Sequence, residues 1–283
     1  MRFVKMHGLG NDFIVIQADT WEAEGEDYSE MAVKLCDRHF GIGADGLVVT
    51  GKDQELDIFM RIFNPDGSEP EMCGNAIRCV SKFAWEKGLV SSTKISVRTL
   101  AGPRYPEVLL NDKGEVEKVR VDMGEPILER SQIPMLGSPG QVVGEELETQ
   151  VGRFRVTAVS MGNPHCVVFV DELSSIPLGE WGPVLEHHSV FPSRTNVEFA
   201  KIEGDNRISM RVWERGAGET LACGTGACAT LVASYLNGFT GRRATVQLKG
   251  GELFIDWNPS DNHVYMTGEA KEVFQGEVDL EKL

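Results

Sequence analysis

The chain has 283 residues, about twice the usual length of one domain, so we expect two domains. Hydrophobic residues make up 41% of the sequence and charged residues 25%, a balance that excludes a disordered or fibrous chain. Lysine and arginine number 28 against 43 aspartates and glutamates, which gives a formal net charge of −15. Because nucleic acids and anionic membranes bind basic surfaces, this charge argues against both as partners.

The N-terminal residues 1–8 lack the long apolar core of a secretory signal, and no later run is apolar enough to span a bilayer. We therefore expect a cytosolic protein, although a removed transit peptide remains possible at this point. In a reducing compartment the cysteines are not expected to form disulfides. They form no Cys-x-x-Cys pair, and no closely spaced histidines complete a zinc pattern, so we predict no metal site. The six cysteines are Cys36, Cys73, Cys79, Cys166, Cys223 and Cys228.

The predicted strands and helices follow from hydrophobic spacing. Alternating apolar residues predict strands, and apolar residues three or four apart predict helices. The first half contains, in chain order, strand 57–63, helix 74–87 and strands 94–100 and 116–122. The second half contains strands 154–159, 167–170 and 208–213, helix 224–237 and strand 244–248. Gly88 and Gly238 are natural stops for the two helices.

A repeat links the two halves. The segment Met60-Arg-Ile-Phe-Asn64 recurs 150 residues later as Met210-Arg-Val-Trp-Glu214. The pairs Cys73-Gly74 and Cys223-Gly224 have the same offset, and a weaker echo relates Gly10-Asn11 to Gly162-Asn163. Several matches in the same order at nearly the same offset indicate two structurally equivalent halves.

The repeat places Cys73 and Cys223 at the starts of predicted helices. Unpaired N–H groups at a helix start stabilise a thiolate, whose pKa can fall there from about 8.5 to roughly 3.5–7.5. The same groups bind carboxylates. Two such helices facing one anion would put a sulfur on each side of a carbon, which is the arrangement that inversion of a stereocentre needs. We interpret the other four cysteines as small buried hydrophobic residues.

Four motifs also resemble the signatures of the diaminopimelate epimerase family. They are His7-Gly-Leu-Gly-Asn-Asp-Phe13, Glu71-Met-Cys-Gly-Asn-Ala-Ile-Arg78, Gly162-Asn-Pro-His165 and Glu214-Arg-Gly-Ala-Gly-Glu-Thr-Leu-Ala-Cys-Gly-Thr225. The resemblance implies an α/β (α+β) fold of two pseudo-symmetric domains, each a curled, mostly antiparallel sheet or barrel around a central helix, with the active site in the cleft between them. It assigns residues 1–122 and 268–283 to an N-terminal half carrying Cys73, and residues 123–267 to a C-terminal half carrying Cys223.

The resemblance further implies the reaction. A member of this family is an isomerase that interconverts LL-2,6-diaminopimelate and meso-diaminopimelate by two-base proton transfer between a thiolate and a thiol at the α carbon. The reaction serves lysine and peptidoglycan precursor biosynthesis. It needs no pyridoxal phosphate or other cofactor, and the expected assembly is a homodimer.

Diaminopimelate has two amino-acid ends, and the polar residues divide between them. We expect the reacting carboxylate to bind backbone N–H groups of Gly74, Asn75, Gly224 and Thr225. Arg215 offers a forked donor set for the distal carboxylate. The side-chain oxygens of Glu214, Asn64, Asn163 and Asn196 could accept from the distal ammonium.

The resemblance supports these assignments and adds to them. It places Asn11 in the substrate site together with the residues just named. It also maps Cys73, Cys223, His165 and Glu214 onto catalytic positions, with His165 and Glu214 holding the thiols and amino group in the required protonation states.

Simpler interpretations of single residues stay open in the sequence. Asn64 precedes a proline and could only begin a turn, and Asn196 could be a loop amide. Arg215 beside Glu214 could be a weak surface ion pair. His165 could be a structural histidine on a strand.

Two departures from the family pattern affect these expectations. Some members carry a substrate-contacting glutamine in the loop that here runs from Phe40 to Gly46, where Ala44 and Gly46 offer only backbone groups. Phe274 stands where some members have a tyrosine linked to dimerisation, so the hydrogen bond of that hydroxyl is lost.

Two other functions compete with the epimerase hypothesis. A racemase acting on proline or histidine would share the cysteine pair, but proline has no distal zwitterion for Glu214 and Arg215 to bind. A thiol redox or metal-binding protein could also use two converging thiols.

Overall fold

The structure is a computed structural model that describes residues 1–21 and 27–280. Contacts between Cα atoms divide the chain into two compact units. Unit 1 comprises Met1–Asp122 and Thr267–Leu283, and unit 2 comprises Met123–Met266. Residues 22–26 and 281–283, which belong to the predicted N-terminal half, lie outside the described residues.

The helices and strands are numbered along the chain. Up to Asp122 they are β1 (Arg2–Gly8), β2 (Asn11–Gln17), α1 (Tyr28–Cys36), β3 (Gly46–Lys52), β4 (Ile58–Phe63), α2 (Gly74–Glu86), β5 (Val97–Arg98), β6 (Glu107–Leu110) and β7 (Val116–Asp122). After a short 3-10 helix (Arg130–Gln132) come β8 (Glu145–Thr149), β9 (Gly152–Ser160), β10 (Pro164–Phe169), α3 (Leu178–Glu186), β11 (Asn196–Gly204) and β12 (Arg207–Glu214). The last elements are β13 (Gly218–Glu219), α4 (Gly224–Leu236), β14 (Arg243–Leu248), β15 (Gly251–Trp257), β16 (Val264–Gly268) and β17 (Lys271–Glu277).

Unit 1 is built on a sheet with the strand order β17-β1-β2-β3-β4-β5. The β2–β3 and β4–β5 pairs are parallel, and the other pairs are antiparallel. Helix α2 packs against β1 to β4 and against the β6–β7 hairpin. Helix α1 packs against β3 and β4 through a separate apolar cluster that includes Leu35, Val49 and Phe59. Strands therefore contact α2 from several sides.

Unit 2 is built in the same way on a sheet with the order β16-β15-β14-β12-β11-β10-β9-β8, and β13 pairs with β12. Its β10–β11 and β12–β14 pairs are parallel. Helix α4 contacts β9 to β12, β14 and β15, and its residues from Gly226 to Ser234 are all buried. Helix α3 packs against β11, β12 and β13 through a second cluster, which includes Leu185, Phe199 and Trp213.

The predicted mixed α/β class with two sheet-rich units is confirmed. The predicted helices are also confirmed, because α2 and α4 end just before Gly88 and Gly238, whose φ angles of +69° and +74° stop a helix. The predicted strand 94–100 was wrong in extent, since only Val97 and Arg98 form a strand. The chain turns at Thr99, whose hydroxyl donates to the carbonyl of Gly102 at 2.6 Å. Within the described ranges, no helix has the length and apolar content needed to cross a membrane.

A close approach between α3 and β12 gives a test of the packing. An added Cβ at Gly182 would lie 2.5 Å from the ring of Trp213, whereas one at Gly179 on the same helix would meet nothing within 4 Å. We expect Gly182→Ala to lower the free energy of unfolding by about 1–3 kcal/mol, because the indole must shift. The matched control Gly179→Ala should be neutral or raise it by up to about 1 kcal/mol. Chemical denaturation measures both, and equal effects would contradict this packing.

Candidate active site

The motif that begins at His7 forms the turn between β1 and β2. Leu9 and Gly10 both have positive φ angles, +58° and +86°, as a two-residue type I′ hairpin turn requires. The backbone N–H of Gly10 donates to His7 Nδ1 at 3.2 Å. The turn places Asn11 beside helix α2, where its Oδ1 accepts from Asn75 Nδ2 at 2.9 Å.

Helix α2 begins directly after Cys73, which is its N-cap residue and is partly buried. Arg78 lies one turn further along, is fully buried and holds the helix start together. It donates to the carbonyl oxygen of Gly74 at 3.0 Å and to Asn75 Oδ1 at 2.9 Å. The structure thus joins the predicted residues Asn11, Gly74 and Asn75 in one network next to Cys73.

Asn64 does not join that network. Its backbone N–H donates to the Ser68 carbonyl at 2.8 Å, and its side chain donates to the Ser68 hydroxyl at 2.9 Å. The residue therefore forms the turn that its position before a proline predicted. The substrate-binding assignment of Asn64 stays a prediction.

A cluster of charges supports Asn11 from the other side. Asn11 Nδ2 donates to Asp45 Oδ2 at 2.8 Å, and Arg38 bridges Asp45 and Asp12 at 2.7 Å to each. Burial opposes ionisation of Asp12, but hydrogen bonds from Arg38 and Lys5 outweigh it and lower the pKa of Asp12 to about 2. The loop that contains Ala44 and Gly46 thus supports Asn11 through the side chain of Asp45, a residue that the sequence analysis did not single out.

In unit 2, Cys223 is the N-cap residue of α4 and is buried. Its sulfur accepts from the backbone N–H of Gly226 at 3.4 Å and lies 3.6 Å from the Thr225 hydroxyl. Burial raises the pKa of the Cys223 thiol well above its usual value, and the carboxylates of Glu214 and Glu198 add to the rise. The side chain is therefore a protonated thiol at neutral pH.

Glu214 stands at the end of β12 and contacts this thiol. Its Oε1 accepts from the Thr220 hydroxyl, and its side chain also forms a hydrogen bond with Cys223. Burial raises the pKa of Glu214, and these two hydrogen bonds offset part of the rise. The pair can pass a proton between sulfur and carboxylate over a short path.

A chain of hydrogen bonds leads from Cys223 to His165. Asn163 Nδ2 donates to the Thr225 hydroxyl at 3.3 Å, and Asn163 Oδ1 lies 2.9 Å from His165 Nε2. The histidine is fully buried on β10. On its other side, His165 Nδ1 lies 2.7 Å from Oε1 of Glu198, which is also fully buried.

Asn196 and Arg215 meet at the loop that follows β12. Asn196 Nδ2 donates to the Pro164 carbonyl at 2.8 Å, and its Oδ1 accepts from the backbone N–H of Arg215 at 2.9 Å. The exposed Arg215 side chain donates to the Ser193 carbonyl at 3.0 Å. The guanidinium thus keeps further donors for a ligand, whereas Asn196 is buried and already uses both ends of its amide.

Gly224 and Gly226 allow close packing around the start of α4. An added Cβ at Gly224 would lie 2.9 Å from the Met266 sulfur, and one at Gly226 would lie 2.7 Å from Glu198 Oε1. Both distances are shorter than an ordinary carbon contact. A larger residue at either position would therefore require the side chain of Met266 or of Glu198 to shift.

The structure therefore sorts the predicted residues by unit. Unit 1 holds Cys73, Gly74, Asn75, Asn11 and Asn64, and unit 2 holds Cys223, Gly224, Thr225, Asn163, His165, Asn196, Glu214 and Arg215. Sequence reasoning missed Arg78 and Glu198. Both could have been found as charged residues inside apolar runs, Ile77-Arg-Cys-Val80 and Val197-Glu-Phe199. Across residues 1–21 and 27–280, no group of three or more histidine, cysteine or carboxylate side chains could hold a metal ion.

Solved structures with the same fold cover nearly the whole chain. A Bacillus anthracis phenazine biosynthesis protein of the PhzF family matches with a TM-score of 0.72 and 17% identity, over 99% of both chains. A probable proline racemase from Agrobacterium radiobacter K84 matches with a TM-score of 0.67 and 18% identity, over 99% of this chain and 93% of its own. At these identities the similarity shows the fold alone.

Sequence comparisons are more specific. A protein named diaminopimelate epimerase from Pelotomaculum thermopropionicum is 60% identical over 277 residues, which are 98% of this chain and 98% of the relative. Another from Heliobacterium modesticaldum is 54% identical over 281 residues, 99% of this chain and 100% of the relative. The family model described as diaminopimelate epimerase matches residues 3–129 and 157–273. On this evidence the chain belongs to the diaminopimelate epimerase family.

Proposed function

We propose that this chain interconverts LL-2,6-diaminopimelate and meso-diaminopimelate without a cofactor, by proton transfer between Cys73 and Cys223 at the α carbon. The observation that carries the proposal is that each unit has a cysteine as the N-cap residue of a 13-residue helix, followed by glycine. Family membership supports the same reaction. Related proteins carry the name of this activity at 50–60% identity along their full length.

The chemistry follows from the state of the two thiols. Burial keeps Cys223 protonated in the free protein, which suits it to the role of acid. The proposal therefore assigns the role of base, as a thiolate that removes the α proton, to Cys73. The electron pair left on carbon is stabilised by the adjacent carboxylate, which accepts hydrogen bonds from N–H groups at a helix start. The Cys223 thiol then gives its proton to the opposite face of the carbon, and the configuration is inverted. The Cys73 thiol and the Cys223 thiolate that remain catalyse the reverse direction.

The polar residues complete this proposal. The reacting carboxylate accepts hydrogen bonds from the backbone N–H groups of Gly74, Asn75, Gly224 and Thr225. The distal carboxylate binds the guanidinium of Arg215. The distal ammonium donates to side-chain oxygens from the set Glu214, Asn64, Asn163 and Asn196. Asn11 supports Asn75 through their hydrogen bond. Glu214 and His165 belong to the catalytic set. Glu214 forms a hydrogen bond with Cys223, and His165 is connected to the same thiol through Asn163 and Thr225.

We also propose that the enzyme is a cytosolic homodimer that serves lysine and peptidoglycan precursor synthesis. In support of self-association, Val273 and Phe274 on strand β17 expose about half of their surface, 56% and 46% respectively. Phe274 also packs edge-on against Phe3, with ring centroids 5.9 Å apart. A phenyl ring at this position can therefore be held in place without the tyrosine hydroxyl of some relatives.

Removal of either thiol tests the two-base mechanism. We expect Cys73→Ala and Cys223→Ala each to lower kcat for diaminopimelate inversion by about 10²–10⁴-fold, the usual contribution of a positioned acid or base. The matched controls are Cys79→Ala and Cys228→Ala, which remove buried thiols from the same two helices. Chiral chromatography of the product measures the rates. Inversion at a near wild-type rate in either first variant would contradict the mechanism.

Arg215 tests the choice of substrate. Loss of a hydrogen-bonded ionic contact to the distal carboxylate should lower kcat/KM of Arg215→Ala for diaminopimelate roughly 10- to 150-fold. Arg207→Ala is the control, because Arg207 is an exposed arginine at the other end of β12 that pairs with Glu252. Racemisation of proline by the wild type at a comparable kcat/KM, or no effect of Arg215→Ala on diaminopimelate, would favour a different substrate.

A further inference from the structure

Glu198 is a buried carboxylate that the mechanism above does not use. It lies on β11 two residues after Asn196, which is in register with His165 on the parallel strand β10. Its side chain is fully buried, and its Oε1 is 2.7 Å from His165 Nδ1. Among the residues that the structure describes, its Oε2 has no hydrogen-bond partner. A buried carboxylate with one partner is costly, so its retention needs a reason.

The acceptor atoms around His165 determine which of its ring nitrogens carry protons. An ionised carboxylate only accepts hydrogen bonds, so His165 must donate from Nδ1 to Glu198. This contact also fixes the orientation of the ring, in which Nε2 lies 2.9 Å from Asn163 Oδ1 and donates to it, because an amide oxygen only accepts. Glu198 thus keeps the proton on Nδ1 and sets the direction of the ring, whose two nitrogens both donate.

Two paths connect this pair to the sulfur of Cys223. The first runs from His165 through Asn163 to the Thr225 hydroxyl, which lies 3.6 Å from the sulfur. The second runs through Gly226, whose N–H donates to the sulfur at 3.4 Å. An added Cβ at Gly226 would be 2.7 Å from Glu198 Oε1 and 3.2 Å from the sulfur, so carboxylate and thiol flank the same glycine.

We propose that Glu198 is a positioning residue for the reacting thiol of Cys223, acting by holding His165 in its Nδ1-protonated form. His165 then fixes the amide of Asn163, and Asn163 fixes Thr225 against the sulfur. This inference rests on the proposed function for its kinetic consequence. Its structural consequence, the proton on His165 Nδ1, does not depend on the substrate.

The isosteric variant Glu198→Gln tests the inference. A glutamine amide can donate to Nδ1 in place of the accepting carboxylate, so Nδ1 should lose its proton while Nε2 keeps the proton that it donates to Asn163 Oδ1. Because a carboxylate-to-amide change that alters the protonation of a histidine is severe for catalysis, we expect kcat to fall at least about tenfold. KM should change less than about threefold, since no substrate contact is removed. The readouts are diaminopimelate inversion and the ¹⁵N spectrum of the His165 ring at pH 8.

Thr157→Val is the control for a general loss of buried hydrogen bonds. Thr157 is buried on β9, and its hydroxyl accepts from the Gly144 N–H at 3.1 Å and from Asn237 Nδ2 at 2.8 Å. We expect this variant to unfold at a lower temperature while it keeps the wild-type kcat and the wild-type His165 spectrum. An equal loss of kcat in both variants would assign Glu198 a merely structural role and overturn the proposal.

The remaining outcomes also decide the matter. Glu198→Gln with a proton still on Nδ1, or with kcat within about twofold of the wild type, overturns the proposal. If that variant does not fold, the wild-type spectrum decides, because an unprotonated Nδ1 in wild-type protein overturns it as well. If the wild type does not invert diaminopimelate, the proposed function fails, and the loss or retention of the Nδ1 proton in Glu198→Gln still supports or refutes the role of Glu198 on His165.

Discussion

The first N–H groups of an α-helix lack acceptors within the helix, and in both units the N-cap residue that precedes them is a cysteine. This constraint explains the glycine that follows each cysteine, since small residues leave the N–H groups open to a ligand. In each unit, hydrogen bonds from neighbouring side chains or backbone groups also fix the first turn of the helix. In unit 1 the guanidinium of Arg78 donates to the carbonyl of Gly74. In unit 2 Asn163 donates to the Thr225 hydroxyl, and the N–H of Gly226 donates to the Cys223 sulfur.

The two helix starts have similar backbones but opposite buried charges. Arg78, a cation, contacts the first turn of α2. Glu214 and Glu198, which are carboxyl groups, surround the sulfur at the start of α4 and raise the pKa of Cys223 beyond the effect of burial. A buried cation thus lies at the first helix start, whereas carboxyl groups disfavour negative charge on the sulfur at the second. This difference agrees with the proposed roles of Cys73 as the base and Cys223 as the acid.

Much of the fold could be predicted from local patterns. The 150-residue repeat predicted both helices, and glycine predicted their ends, because a positive φ at the C-terminus is a local requirement. The predicted extent of strand 94–100 was wrong because the hydroxyl of Thr99 donates to the carbonyl of Gly102 and forms a turn. The spacing of apolar residues carries no signal for such a turn.

The site was predictable only in part. Motif residues such as Asn11 and Asn75 could be named, but their hydrogen bond joins positions 64 apart in sequence. The partner of His165 is 33 positions away, so local reasoning treated the histidine alone and overlooked Glu198. Asn196 shows the converse, because the sequence could not reveal that both ends of its amide are already engaged.

The central claim is that two different groups handle the proton on the two faces of one carbon. Incubation of the wild-type enzyme with LL-diaminopimelate in deuterated water, stopped early and analysed by chiral separation and mass, tests it most directly. The account predicts one deuterium at the inverted carbon of the meso product and almost none in the remaining LL substrate. Deuterium that enters the LL substrate as fast as the meso product, or a meso product that keeps the original proton, would contradict it.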